Sequence, residues 1–221
     1  MNNWEYATVL PTSPWKGVQS LPREIYLTSS NAGYVIRQKP FRGFLSLRKD
    51  STTISNVLIK ELQNFSLFKP TKNVYEAEFI FDLDQKSKQE FGINLCASGK
   101  ERVILSYNSL TNNVTFDRTQ SGNVSFSDKF PKIITIPLDK QLNQLKFKVF
   151  VDQSTIEIFI NEGEAVISSI IFPSIDATNI ELFSLTGENY LSEFKFWELN
   201  SIWQNVSNNY FVPEDPTDII L

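Results

Sequence analysis

The sequence contains no histidine and only one cysteine, Cys96. Without histidine the chain cannot build a Ser-His-Asp triad or a Cys/His zinc site, and a single thiol leaves no internal disulfide. Acid-base chemistry is therefore left to carboxylates, tyrosines and lysines. Cys96 lies in residues 91–97 (FGINLCA), where alternation predicts a small, buried, apolar side chain.

Excess positive charge and long apolar runs are also missing. The 21 Lys and Arg residues are outnumbered by 25 Asp and Glu, giving a net charge of -4, which argues against a nucleic-acid partner. No apolar stretch approaches the ~20 residues of a membrane helix. The first residues also lack the basic flank and apolar core of a signal peptide. We therefore expect neither nucleic acid nor membrane as a partner, and a neutral partner such as a sugar fits better.

What the chain has in quantity is short alternating runs of apolar and polar residues. From Ser51 onward these runs are separated by Asn, Asp, Gly, Ser and Pro, which is typical of an antiparallel β-sandwich rather than of alternating strands and helices. No long helix is predicted. Strands are predicted near 54–61, 74–82, 90–97, 101–107, 112–118, 132–137, 144–152, 154–161, 164–172, 178–185 and 189–199.

The strand at 155–161 shows the alternation most clearly. One face is predicted to be core and the other partly solvated: Ile156, Ile158 and Ile160 on the first, Thr155, Glu157 and Phe159 on the second. Gly163 can take the positive φ of the hairpin turn that follows. In the last strand, the imperfect alternation near Ser192 and Glu193 predicts a bulge.

Three segments resemble glycoside hydrolase family 32, which contains invertases, inulinases, levanases and other fructan β-fructosidases. They occur in the same order as in that family and together extend over most of the chain. The first comprises residues 3–7 (NWEYA), 11–12, 15–17 and 20–24 (SLPRE), the second residues 117–119, 121–124 and Phe126, and the third residues 147–173.

The resemblance implies an all-β chain, in which a two-sheet antiparallel sandwich of jelly-roll or lectin-like type follows a remnant of the last blade of a five-bladed β-propeller. Residues 1–40 would be the propeller remnant, with strands at 20–27 and 33–38 whose partners lie in the missing part. Residues 41–50 would be the linker, 51–200 the sandwich and 201–221 a C-terminal extension.

The same resemblance implies the activity of the parent protein, cleavage of terminal β-fructosyl bonds in fructans or sucrose, without metal or organic cofactor. This family takes its nucleophile, stabilising Asp and acid from Asn-Asp-Pro-Asn, Arg-Asp-Pro and Glu-Cys motifs, and none of the three occurs here. We therefore expect no catalytic residue in this chain and no activity from it. A fructan-degrading parent favours a periplasmic or secreted location, with its signal upstream.

One residue is expected to contact substrate. By resemblance to the family's Asn-Trp-x-Tyr segment, Trp4 would be a platform for the terminal fructose, and the alternative is a Trp that packs within the blade. Glu5 and Arg23 are interpreted as salt-bridging or surface groups. Asp152, Glu157 and Glu162 lie in the sandwich and are not interpreted as catalysts.

Three roles remain open for the sandwich. It could stabilise the propeller, bind fructan through aromatics such as Tyr107, Phe116 or Phe126, or form a subunit contact. The N-terminal segment carries Trp4, Tyr6, Trp15, Leu21, Ile25 and Leu27, too much apolar surface to leave solvated. We expect this segment to fold onto the sandwich or to pair between molecules as a homo-oligomer.

Overall fold

The computed structural model describes residues 4–30, 33–138 and 142–202. These ranges contain β-strands in antiparallel sheets and two short 3₁₀ helices, Ala7–Val9 and Arg42–Leu47. None of their helices is long and apolar enough to cross a membrane. The strands are β1 (Arg23–Ser30), β2 (Gly33–Pro40), β3 (Arg48–Ile59), β4 (Asn64–Phe68), β5 (Val74–Asp82), β6 (Glu90–Ser98), β7 (Glu101–Asn108), β8 (Asn113–Gln120), β9 (Ile133–Pro137), β10 (Gln144–Asp152), β11 (Thr155–Ile160), β12 (Ala165–Ile170), β13 (Asn179–Thr186) and β14 (Asn189–Leu199).

Two six-stranded sheets form the sandwich, which confirms the predicted all-β fold. The front sheet has the strand order β12-β11-β10-β5-β14-β3, and the back sheet has the order β4-β13-β6-β7-β8-β9. Strands far apart in sequence are neighbours in each sheet, as in β5 beside β10 and β6 beside β13. Each sheet therefore depends on pairing between strands that are distant in sequence.

The core between the sheets is built from large side chains on the inward face of each strand. Phe79, Phe81 and Phe194 of the front sheet are fully buried, as are Phe91 and Phe116 of the back sheet. Phe81 meets Phe91 across the sandwich with ring centroids 4.7 Å apart. Burial of one such ring contributes about 1.5–3 kcal/mol, so these contacts account for much of the favourable free energy of folding.

The hairpin β11–β12 has the predicted inward face, but its outward face was predicted wrongly. Ile156, Ile158 and Ile160 are fully buried, and Gly163 takes a φ of 83° in the turn. Glu157 and Phe159, expected to be partly solvated, are also buried, because the N-terminal segment covers this side of the front sheet.

Two further differences concern strands. The alternation did not predict β4, a five-residue edge strand beside β13. The strands β1 and β2 pair with each other over eight residues each, so each has one partner within the chain, which was not expected. The bulge predicted near Ser192 and Glu193 is confirmed, since the β14–β5 register shifts between Leu191 and Glu193.

Cys96 occupies a second irregularity, where the β6–β7 register shifts between Leu95 and Ser98. Its φ is 49° and its side chain is buried. Burial raises the pKa of the thiol from 9.0 to about 12, and the neighbouring Tyr75 lowers it by a smaller amount. The thiol is therefore protonated, and it lies in the core as the sequence predicted.

The raised pKa of Cys96 makes a pH-dependent contribution to stability. The contribution is fully present below pH 9, where the thiol is protonated in both states, and is lost as pH rises from 9 toward 12, because only the unfolded thiol ionises. Urea unfolding should therefore show wild type losing about 2 kcal/mol more than Cys96→Ala by pH 10.5. Parallel pH profiles for the two proteins would contradict the assignment.

Candidate functional site

The N-terminal segment, residues 4–30 and 33–47, packs on the outer face of the front sheet and at its β12 edge. A buried ion pair attaches it there: Arg23 Nη2 is 2.7 Å from Glu157 Oε2, and the Glu157 side chain is only 3% exposed. The backbone N–H of Leu21 and the hydroxyl of Ser168 also donate hydrogen bonds to this carboxylate. Arg23 is thus salt-bridged, one of the two roles predicted for it, and its partner lies 134 residues away in sequence.

A second attachment joins the β1–β2 hairpin to the turn after β11. The Tyr26 hydroxyl donates to the Glu162 carbonyl at 2.8 Å, and the Gln38 N–H donates to the Gly163 carbonyl at 3.4 Å. The approach is so close that a Cβ on Gly163 would lie 1.9 Å from the Gln38 carbonyl oxygen. Glycine is required here by both its positive φ and this contact.

The third attachment is an aromatic pocket that holds Tyr6. Its ring meets Phe130 edge to face at a centroid distance of 5.4 Å, and its hydroxyl accepts a hydrogen bond from Arg118 Nη2 at 3.0 Å. Leu10, Phe126 and the end of β12 complete the cluster. Tyr6 is buried, so this part of the segment folds onto the sandwich, which is one of the two expected outcomes.

A charged cluster continues along the outer face of the front sheet. Arg48 donates from Nε and Nη2 to both oxygens of buried Glu76, at 2.7 and 2.6 Å, and its guanidinium carbon lies 3.7 Å from the centroid of the Trp197 ring. The hydrogen bond to Glu76 is the main reason that the pKa of Arg48 is raised. Lys148 joins the cluster 2.8 Å from Glu78.

A groove of about 310 Å³ lies between this charged cluster and the 3₁₀ helix Arg42–Leu47. Its walls include Phe41, Phe44 and the carboxylates Glu76 and Glu78. Both carboxylates are engaged by Arg48 and Lys148. Retaining glycosidases need two carboxyl groups about 5 Å apart that can act as acid and nucleophile. The pair in this groove is held by cations, which suits a structural role.

The other acidic residues noted in the sequence also lie in surroundings that suit a role in the fold. Glu157 is neutralised by Arg23, and Glu162 lies 3.7 Å from Lys146 at the surface. Asp152 ends β10, directly opposite Thr155 in the β10–β11 pairing. Among the residues that the structure describes, no group of three or more metal-ligating side chains is present.

The structure places the predicted substrate-contact residue, Trp4, at the surface with 95% of its side chain exposed. Trp4 lies only two residues before Tyr6, whose buried side chain holds the backbone in place. The suggestion that aromatic residues of the sandwich bind sugar is corrected for two residues, since Tyr107 and Phe116 are buried in the core. Phe126 is packed in the Tyr6 pocket against Phe130 and Phe172. Tyr107 and Phe116 therefore cannot stack on a sugar.

The outward face of the β1–β2 hairpin is apolar and uncovered by any described residue. Leu27 and Ile36 are direct cross-strand partners, and two positions along, Ile25 and Tyr34 extend the same face. These four side chains are between 63% and 82% exposed. We call this group the hairpin face. A contiguous apolar patch of this kind indicates an interaction surface.

Sequence reasoning missed the residues that hold the segment down. For Arg118 a signal was present, because Val114, Phe116 and Arg118 share one side of β8, and the first two are core residues. For Glu157 there was no local signal, since the chain that buries it is far away in sequence. Arg48 fell in the segment expected to be a linker.

Comparison with known proteins agrees with this architecture. Residues 44–198 match the description "Glycosyl hydrolases family 32 C terminal". The chain is 29% identical over 204 residues to a levanase of Bacillus subtilis, covering 92% of this chain and 30% of the levanase. It is 28% identical over 206 residues to an extracellular exo-inulinase of Aspergillus awamori, covering 92% of this chain and 38% of that protein.

Solved structures show the same arrangement. The crystal structure of exo-inulinase from Aspergillus awamori superimposes with a TM-score of 0.78 at 27% identity, covering 92% of this chain and 40% of that one. Fructan 1-exohydrolase IIa from Cichorium intybus shares the fold, with a TM-score of 0.69 at 18% identity over 82% of this chain and 41% of that one. This chain thus spans about a third of the curated relatives it matches. It belongs to glycoside hydrolase family 32 and carries that family's C-terminal β-sandwich domain.

Proposed function

We propose that this chain is the C-terminal part of a hydrolase that cleaves terminal β-fructosyl bonds in fructans or sucrose, and that its sandwich stabilises the catalytic propeller. The nucleophile and the acid would come from the propeller, and the chain by itself would be inactive. Its substrate class is supported by relatives named levanase and exo-inulinase.

The observation that carries the stabilising role is the hairpin face. Ile25, Leu27, Tyr34 and Ile36 present an apolar surface on a hairpin that is itself fixed to the sandwich by Arg23, Tyr26 and Gln38. A surface held rigidly before docking loses little conformational entropy on binding. The sandwich would therefore hold the hairpin in a fixed position in which it can pack against the remainder of a propeller.

The buried polar contacts between the N-terminal segment and the sandwich also support the stabilising role. Glu157 and Arg118 are buried polar residues of the sandwich that bond to the N-terminal segment, Glu157 to Arg23 and Arg118 to Tyr6. Buried charges are costly unless paired, and truncating one partner is destabilising. Their arrangement suits a permanent internal contact between segment and sandwich better than a surface that opens to ligands.

The alternative is a non-catalytic module that binds fructan or contacts another subunit. Exposed aromatics on the N-terminal segment favour it, since Trp4 and Trp15 are 95% and 70% exposed. Sugar binding would give retardation of the chain on levan or inulin gels, and a subunit contact would give a concentration-dependent mass by light scattering. The stabilising role requires neither result.

Docking can be tested with the part of the Bacillus subtilis levanase that lies outside the matched region. Adding this chain at about one hundred times its Kd should stabilise that part of the levanase by about 2.7 kcal/mol in thermal melts. Leu27→Asp should weaken the binding at least tenfold, because it places a charge at the centre of the hairpin face. Leu62→Asp is the matched control, since Leu62 is exposed on the sandwich away from the hairpin.

Equal stabilisation by wild type and Leu27→Asp would contradict docking through the hairpin face. Catalysis is checked separately by incubating the chain alone with sucrose, inulin and levan and measuring free fructose. We expect no release. Release by the chain alone would contradict its proposed lack of catalytic groups.

A further inference from the structure

Arg118 is buried in the sandwich, and its side chain contacts three other parts of the chain. Nη1 donates to the Ser169 hydroxyl at 2.9 Å and to the Ile170 carbonyl at 3.1 Å, both on β12. Nη2 donates to the Tyr6 hydroxyl at 3.0 Å. The guanidinium carbon lies 4.2 Å from the centroid of the Phe130 ring. One side chain thus joins β8, β12, the loop before β9 and the N-terminal segment.

The positive charge of Arg118 is less well compensated than that of Arg23 or Arg48. The ion pairs of the described residues include no carboxylate partner for Arg118, unlike Arg23 and Arg48. Its Nε is buried and makes no hydrogen bond with the described residues. A buried cation without an anion is costly, and an apolar residue would fill such a position at lower cost. The guanidinium fork gives what an apolar side chain lacks, several directed donors in one plane.

The contact with Tyr6 has a consequence for Trp4. Tyr6 is buried while Trp4, two residues away, is 95% exposed. Two residues span at most about 7 Å of chain, so the Arg118 contact fixes one end of a very short tether that carries the Trp4 ring. The 3₁₀ helix Ala7–Val9 follows Tyr6 directly and limits its backbone on the other side.

We infer that Arg118 is a positioning residue: acting through Tyr6, it holds Trp4 at the place where that ring would meet the terminal fructose. This inference rests on the proposed function, and on the fructose contact that the resemblance to the family's Asn-Trp-x-Tyr segment implies for Trp4. It makes the sandwich a contributor to the geometry of the sugar site, in addition to its role in stability.

The position of Trp4 can be measured in this chain alone by double electron-electron resonance between two spin labels. One pair joins Trp4→Cys to Leu58→Cys on β3, and a control pair joins Leu27→Cys to Leu58→Cys. The native Cys96 is buried with a thiol pKa of about 12, so it should remain unlabelled. In Arg118→Met, the distance distribution of the first pair should broaden at least twofold while that of the control pair stays unchanged.

Two milder variants keep the test valid if Arg118→Met folds poorly. Arg118→Lys keeps the charge but has one donor nitrogen in place of the two that bond to β12 and to Tyr6, so partial broadening is expected. Tyr6→Phe keeps the ring packing and removes only the hydroxyl, so it should also broaden the first pair partially. An unchanged first distribution in all three variants, or equal broadening of both pairs, would overturn the inference. Failure of propeller docking would leave this measurement unaffected.

Discussion

Replacing Arg48 with alanine is expected to lower the free energy of unfolding by about 3 kcal/mol, measured by urea unfolding followed by circular dichroism. The loss is large because Glu76 is buried, with its side chain 1% exposed, and would keep only Lys148, at 3.7 Å, as a cation partner. The substitution also removes the stacking of the guanidinium on Trp197. Three neighbouring strands, β3, β14 and β5, lose a common contact.

A double variant distinguishes an uncompensated buried charge from lost packing. In Arg48→Met with Glu76→Leu no charge remains to be neutralised, so the double variant should be less destabilised than Arg48→Ala alone. Lys195→Ala breaks a partly exposed pair with Glu193 and should cost under about 1 kcal/mol. If Arg48→Ala costs no more than Lys195→Ala, the buried pair is not an important source of stability.

Gly163→Ala is expected to separate the β1–β2 hairpin from the sandwich. The added Cβ would lie 1.9 Å from the Gln38 carbonyl oxygen, and residue 163 has a φ of 83°. Left-handed strain of about 1–2 kcal/mol and overpacking of about 1–3 kcal/mol should together destabilise the folded state by about 2–5 kcal/mol. Hydrogen exchange should become faster in residues 23–40.

Gly99→Ala supplies a matched control for this prediction. Gly99 also has a positive φ, 57°, but an added Cβ would meet nothing within 4 Å. It should cost only the backbone strain and leave hydrogen exchange in the hairpin unchanged. Equal effects of the two substitutions would mean that the close approach of Gln38 to Gly163 is unimportant.

The sequence was most informative about elements whose evidence is local. Alternation over Ile156, Ile158 and Ile160 predicts both the strand and its core face, and Gly163 marks the turn correctly. The bulge near Ser192 follows from a break in the same alternation. The strand β4 was missed because it is short and because Leu62, in the turn before it, has a φ of 59°. Leucine rarely takes this conformation, so nothing in the sequence marks a turn there.

The candidate site was harder to predict because its contacts are not local. Alternation shows that Glu157 and Phe159 share a face, but it does not show what covers that face. The cover comes from Leu21 and Arg23, more than 130 residues earlier. The interpretation of Tyr107 and Phe116 as sugar platforms was wrong for a local reason: each alternates in step with core residues, Leu105 and Val114 respectively. Alternation and the family resemblance together predicted the fold, whereas the contacts that hold the N-terminal segment became visible only in the structure.

The way the N-terminal segment is fastened has a mechanical consequence. Tyr6, Arg23 and Gln38 are attached along its length, and Phe44 and Leu47 of the joining 3₁₀ helix pack against Phe150, Phe159 and Leu199. A hinge needs a stretch of backbone that can rotate with few contacts to break, and residues 41–47 do not provide one. Any closing motion around a substrate would have to pivot elsewhere, with the hairpin and the sandwich moving as one rigid body.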